Sequence, residues 1–306
     1  MNQRMEKIQA LKKEKDAVIL AHYYVPEEVQ EAADYIGDSY YLAKLASEVP
    51  QSTIVFCGVS FMGESAKALN PEKRVLMPDK DADCPMAHMA RADRIKMVRE
   101  KYEDVAVVCY VNSTAELKAC SDVCVTSSNA LKIVKSLPNK NIYFIPDENL
   151  GRYIASLLPE KKFIFNEGFC HVHASLTAEE VRESKKQNPD ARVLAHPECR
   201  PEVLKEADYI GSTAGIIDYA TKSSEGTFIV CTEQGVFSEL RRKNPDKLFL
   251  MPGSGLCCQD MKKNSLEKVI RVLETGENEV FLTDELKDKA NRPLENMLKL
   301  AERRKG

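Results

Sequence analysis

One pattern recurs three times along this chain, and few architectures accommodate such a period. The run DAVILAHYY over residues 16–24 has strand character, a helix opens at Pro26, and ADYIGDS follows over 33–39. From residue 191 the pattern returns as ARVLAHPEC, a helix opening at Pro201, and ADYIGST over 207–213. A weaker copy lies between them: VAVVCYVNS over 105–113, the helical TAELKAC, and SDVCVTS over 121–127. Each copy continues with a helix, a β-rich run (TIVFCG, NIYFIPDENLG, TFIVCTEQG), another helix and a last strand (RVLMP, KFIFN, KLFLMP). A short loop ending in cysteine comes next: DKDADC at Cys84, EGFC at Cys170, and GSGLCC at Cys257 and Cys258. His22, Tyr110 and His196 are thus 88 and 86 positions apart, and Cys84, Cys170 and Cys258 are 86 and 88 apart.

Strands alternating with helices at this length predict βαβ units and parallel sheets. Right-handed crossovers then gather the strand C-termini on one edge, where ligands of open α/β sheets bind. The expected fold is α/β: three repeated three-layer parallel-sheet domains, at 1–88, 89–174 and 175–260, in a pseudo-threefold arrangement around a central cavity. The helices of 261–306 exceed the repeat and are expected to pack back on the first domain. Ser113 with Glu116, Thr177 with Glu180 and Asn264 with Glu267 read as capping boxes, and Pro26 and Pro201 suit first-turn positions.

Ten cysteines in a 306-residue chain need an account. A chain this long buries its own core and needs no disulfide framework. Cys57, Cys109, Cys124 and Cys231 lie in or beside apolar runs and read as small buried hydrophobes; Cys120 and Cys199 carry no assigned role. The three repeat cysteines can meet only through tertiary structure, because their spacing matches no local zinc or ferredoxin motif. Two metal readings stand side by side. Three thiolates with a fourth ligand make a structural zinc site. Three thiolates on a 4Fe–4S cluster leave one iron open to act as a Lewis acid. Cys84-Pro85 is similar to the Cys-Pro that closes bacterial ferredoxin motifs.

The strand ends supply groups for proton transfer: His22-Tyr23-Tyr24, Tyr110-Val111-Asn112 and His196-Pro197-Glu198. Ser39, Ser127 and Thr213 follow the second strand of each copy, as ordinary helix caps or as hydroxyls that help a helix N-terminus hold an anion. Tyr23 and Tyr24 cannot both point the same way from a strand. In GFCHVHA, His173 is preferred to His171 as the residue facing the site. His88 reads as a surface or outer residue, and Asp147 and Glu148 as a solvated turn.

Other function classes are disfavoured. A formal charge of −3 with scattered basic residues gives no footprint for nucleic acid. No run approaches the roughly 18–20 apolar residues of a membrane span, and the N-terminus lacks an apolar signal region, so a cytoplasmic location is expected. Neither G-x-G-x-x-G nor G-x-x-x-x-G-K-[ST] occurs. His196-Pro197-Glu198 fits half of the zinc-deaminase signature, but its partner P-C-x-x-C is missing. A non-enzymatic anion sensor with redox cysteines is the remaining rival, and it requires no metal.

Taken together and in order, AHYY, ADYIGDS, YVNS, VTSSNA, IPDENLG, GFCHVHA, HPEC, GSTAG and the C-x-x-M-K-K segment ending in NSLEK resemble the quinolinate synthase family along essentially the whole chain. The resemblance implies one 4Fe–4S cluster with three cysteine ligands and one open iron, held by Cys84, Cys170 and one of the final pair, with Cys258 chosen because it belongs to the Cys-x-x-Met-Lys segment. It implies condensation of iminoaspartate with dihydroxyacetone phosphate to quinolinate, with release of phosphate and water, in NAD biosynthesis. By position, His22, Ser39, Tyr110, Asn112, Ser127, His173, Ser212 and Thr213 match substrate-binding residues, while Tyr24, His196 and Glu198 are the catalytic candidates. Functional coupling to the enzyme that produces iminoaspartate is left open. Some members of the family carry a CxxC-like disulfide near the last ligand; the adjacent cysteines here depart from that pattern, so redox regulation of that kind is not expected.

Overall fold

The computed structural model describes residues 3–302. Its strands form three separate sheets of four, parallel throughout. The first holds β1 (Ala17–His22), β2 (Tyr35–Gly37), β3 (Thr53–Cys57) and β4 (Arg74–Leu76). The second holds β5 (Val105–Tyr110), β6 (Val123–Val125), β7 (Asn141–Ile145) and β8 (Lys162–Phe165). The third holds β9 (Arg192–Ala195), β10 (Tyr209–Ile210), β11 (Thr227–Cys231) and β12 (Leu248–Leu250). The spatial order is the same each time: β2-β1-β3-β4, β6-β5-β7-β8 and β10-β9-β11-β12. β1 and β5 are buried along their whole length, as expected of central parallel strands covered on both faces.

A repeated aspartate explains why ADYIG and SDVCV keep their spacing. Asp34, Asp122 and Asp208 each precede the second strand of a sheet. Their carboxylates accept the backbone N–H of Ile19, Val107 and Val193 at 2.8, 2.7 and 2.8 Å. Each backbone N–H also donates to the carbonyl of that same first-strand residue. The register of the first two strands is thereby set three times by one device, and a slip would forfeit both bonds.

Helix starts follow local chemistry with small offsets. Thr177 and Glu180 form a complete capping box. The other two expected boxes do not form: Thr114 and Ser265 are the caps, one residue after Ser113 and Asn264, and the positions facing them are Leu117 and Lys268. Ser113 instead turns its hydroxyl to the Tyr110 carbonyl at 2.9 Å. Pro201 occupies the first turn of its helix, whereas Pro26 sits just before the helix Glu27–Ala32.

Of the C-terminal helices, Leu266–Thr275 packs on the helix Gln3–Glu14 and on β3, in the first unit. The helix Asp284–Glu302 behaves differently. It packs on Ser60–Leu69 of the first unit but also on Ala115–Ala119 and β6 of the second. One continuous apolar cluster accordingly joins the first two sheets and these helices, while the third sheet has two clusters of its own. Among the described residues no helix is long and apolar enough to cross a membrane.

Candidate active site

The strand C-termini of all three sheets open on one cavity, lined among others by His22, Tyr110 and His196. Its shape begins in the cysteine loops. In each unit the residue after the third-strand turn donates its N–H to the carbonyl two residues before a cysteine. The pairs are Ser60 to Ala82 (2.8 Å), Glu148 to Gly168 (2.7 Å) and Gln234 to Leu256 (2.8 Å). These matching bonds make Cys84, Cys170 and Cys258 equivalent, and all three line the cavity. Cys257 is one residue out of register and does not. None of the ten cysteines forms a disulfide.

Burial keeps these thiols protonated in the absence of a cation. It pushes Cys84 up to about 12 and Cys258 up to about 11, and Cys170 rises well above the ordinary thiol value, with the Glu198 charge adding to it. Three soft donors from three rigid loops, each ionising only beside positive charge, fit a thiolate-bound metal group.

Beside Cys170 sits a buried acid–base cluster, with His173 Nδ1 3.2 Å from the Cys170 Sγ. Glu198 Oε2 is 2.8 Å from His173 Nδ1 and 3.6 Å from His196 Nδ1. The two imidazoles stack with centroids 4.8 Å apart. Burial by itself would raise the Glu198 carboxyl. The His173 ring, then His196 and the Tyr110 hydroxyl outweigh it and hold the group below its usual range, as a carboxylate. Its second oxygen, Oε1, is buried and has no protein partner. Burial drives His22 and His196 down to about 3, so both rings are neutral near pH 7.

Tyr24 closes the cavity from the first unit. Its phenol, raised well above 10 by burial and then by the Glu198 charge, lies 2.7 Å from Thr213 Oγ1 and 2.8 Å from Thr232 Oγ1. Thr232 Oγ1 is in turn 2.9 Å from His173 Nε2. A continuous hydrogen-bonded path therefore runs from Tyr24 through Thr232 and His173 to Glu198. Sequence reasoning missed Thr232; the signal was its place directly after β11, one residue past the strand end in TFIVCTEQG.

The other expected residues divide. Ser39, Tyr110, Asn112, Ser127 and Thr213 line the cavity. Ser127 Oγ lies 3.2 Å from His196 Nε2, and Asn112 Oδ1 is buried without a partner. Ser212 does not line it: its hydroxyl caps the helix Thr213–Lys222, accepting the Gly215 N–H at 3.1 Å. His171 is exposed while His173 is 1% exposed. Tyr23 turns away into the apolar core of the third sheet. His88 stays on the surface, bonded to Asp83 at 2.7 Å. Asp147 is corrected outright. It is wholly buried rather than solvated, because the Cys170 loop lies over it and its carboxylate receives two backbone N–H groups.

Cys170, His173 and Glu198 offer ligand atoms within 4.8 Å of one another, so this corner could hold a single metal ion. Its histidine nitrogens are already engaged, Nε2 with Thr232 and Nδ1 with Glu198 and the Cys170 thiol, which suits hydrogen bonding as well as ligation.

The family described as quinolinate synthetase A protein matches residues 6–299. The quinolinate synthase of Clostridioides difficile (strain 630) is 51% identical over 295 residues, spanning 96% of this chain and 97% of its own. That of Fusobacterium nucleatum subsp. nucleatum is 53% identical over 296 residues, spanning 97% and 99%. That of Caldicellulosiruptor bescii is 48% identical over 293 residues, spanning 96% and 97%.

Proposed function

This chain belongs to the quinolinate synthase family, enzymes of NAD biosynthesis, and on that premise we propose that its three repeats form the walls of one reaction chamber. The repeats, at 1–88, 89–174 and 175–260, stand about a pseudo-threefold axis. The substrates are iminoaspartate and dihydroxyacetone phosphate, and the products are quinolinate, phosphate and water. Cys84, Cys170 and Cys258 hold a 4Fe–4S cluster whose open iron, when bound, supplies a Lewis acid for a substrate hydroxyl or carboxylate. The observation that carries this reading is the triple loop anchor, which brings three equivalent thiols to the cavity that Glu198 also lines.

This chain's own residues do the rest. Ser39 and Thr213 each open a helix, so their hydroxyls and first-turn N–H groups bind phosphate or carboxylate oxygens. Ser127 does so beside His196, and Asn112 Oδ1 accepts from the substrate. Neutral His22 and His196 donate or accept hydrogen bonds without adding charge. Glu198 Oε1 abstracts the substrate proton, its carboxylate held ionised by His173. Tyr24 passes a proton along Thr232 and His173 during isomerisation or ring closure. Burial of Glu198 and of His22, His173 and His196 limits water at the imine, which water would hydrolyse.

The test is purification without oxygen, cluster reconstitution and assay of iron, sulfide and quinolinate. About four iron and four sulfide per chain, as a 4Fe–4S cluster requires, with quinolinate formed from the two substrates, is the expected result. A single tightly bound zinc and no quinolinate would favour the Cys170–His173–Glu198 corner as the metal site and overturn the reading.

A further inference from the structure

Each of the three cavity cysteines has its backbone N–H bound by a carboxylate. Cys170 N–H donates to Asp147 Oδ2 at 3.2 Å, and Asp147 Oδ1 takes the Leu150 N–H at 2.7 Å. Cys258 N–H donates to Glu233 Oε1 at 3.1 Å, while Oε2 takes the Gly235 N–H at 2.6 Å and Lys262 Nζ lies 2.9 Å from Oε1. Cys84 N–H donates to Asp83 Oδ1 at 2.8 Å.

The three carboxylates are not one inherited feature. Asp147 and Glu233 occupy the same place in the repeat, immediately before the residues whose N–H groups anchor the cysteine loops. In the first unit that place is Val59, and the acceptor comes instead from Asp83, next to the cysteine itself. The same atom is thus bound from two different positions in the repeat. Asp147 and Glu233 are also fully buried, and a buried carboxyl is costly unless its hydrogen bonds are needed.

We infer that Asp83, Asp147 and Glu233 are positioning residues for the cluster ligands: each fixes the direction of one thiol and keeps that cysteine's amide from donating to cluster sulfur. The inference rests on the reading of Cys84, Cys170 and Cys258 as ligands. An amide N–H beside a ligating sulfur is otherwise available to it, and hydrogen bonds to the sulfurs help set the reduction potential of an iron–sulfur cluster. Outer contacts of this kind are typically worth about 10–100-fold in metal affinity.

The experiment compares wild type with Asp147→Asn, Glu233→Gln and Asp83→Ala, all reconstituted without oxygen. Asn and Gln keep the shape but offer one acceptor where two N–H groups require two. Asp83 is half-exposed, so its replacement leaves the fold intact even where a buried variant fails to fold. The readouts are the rate of iron loss to a chelator and the cluster's reduction potential by redox titration. Iron loss about 10–100-fold faster, with a potential more positive than that of wild type, is expected. Wild-type rates and potential in the folded variants would overturn the inference while leaving the ligand assignment standing. Faster loss with an unchanged potential, in step with lower thermal stability, would overturn it too, reducing the carboxylates to general stabilisers. A wild-type protein that takes up no iron would remove the ligand reading and this inference with it.

Discussion

Replacing Tyr24 with Phe removes one oxygen atom and cuts the path from Tyr24 to Glu198 at its outer end. The stability cost follows from what each partner retains. Thr232 Oγ1 keeps its bond to His173 Nε2, so it is not left bare. Thr213 Oγ1 loses a 2.7 Å bond in a buried place. One buried hydroxyl short of a partner costs about 1–3 kcal/mol. In a chain of this size that lowers the thermal midpoint by a few degrees, at roughly 2–4 °C per kcal/mol. The kinetic cost is larger if the phenol moves a proton: kcat should fall about 10²–10⁴-fold, the range for acid–base groups. KM should change little, because the hydroxyls of Ser39 and Ser127 are untouched and that of Thr213 stays in place at its helix start. Anaerobic steady-state assays of quinolinate formation, run beside iron analysis and a melting curve, separate the two effects. A variant with normal iron, a lower midpoint and wild-type kcat would refute the reasoning and leave Tyr24 as a structural tie between the first and third units.

Glu198→Gln keeps the side-chain shape but not the charge, and should retain iron while turnover drops on the order of 100-fold or more; wild-type turnover would remove Glu198 from the mechanism. Cys258→Ser should abolish cluster retention and Cys257→Ser should not, because only Cys258 shares the loop anchor with Cys84 and Cys170; iron and sulfide counts decide it, and the reverse pattern would refute the equivalence. Acid should destabilise the fold through His22 and His196. Their folded pKa values, about 3, lie below the ordinary 6.5, so the unfolded chain binds protons that the folded chain refuses. Their contribution is fully present above pH 6.5 and is lost as pH falls towards 3, at about 1.4 kcal/mol per pH unit for each ring. Urea unfolding at pH 7 and pH 5 measures this, and equal stabilities would contradict it.

Much of this architecture was legible because the repeat writes it three times. The apolar first strands, the aspartates before the second strands and the loop cysteines recur at nearly constant spacing, and each has a backbone reason to do so. The site was less legible wherever function depends on what lies opposite. Thr232 reads as any hydroxyl at a strand end until His173 and Tyr24 are seen on either side of it. Asp147 reads as a turn residue because the chain alone does not reveal that the Cys170 loop covers it. Ser212 and Thr213 are adjacent small hydroxyls, and only the helix geometry separates the cap from the cavity residue. The last helix has an amphipathic pattern that announces a buried face without naming its partner, and it proved to lie on two units rather than one.

The division of the apolar interior has a consequence for how this molecule fails. The first two units share one core, clamped by the helix Asp284–Glu302, whereas the third closes around cores of its own. Side chains crossing to the third unit include Tyr23 and Val172, joined by polar ties: Tyr24 to Thr213, Ser127 to His196, and Asn149 to the Glu198 carbonyl at 3.2 Å. Ties of that kind contribute about 1 kcal/mol each, far less than a shared core. The reaction chamber therefore lies where the third unit meets the other two without a shared buried core, held across by hydrogen bonds and by the buried His173–Glu198 pair. Loss of those contacts would separate Glu198 from Tyr110 and Tyr24 while every strand stayed paired, so the site depends on bonds that the sheets themselves do not supply.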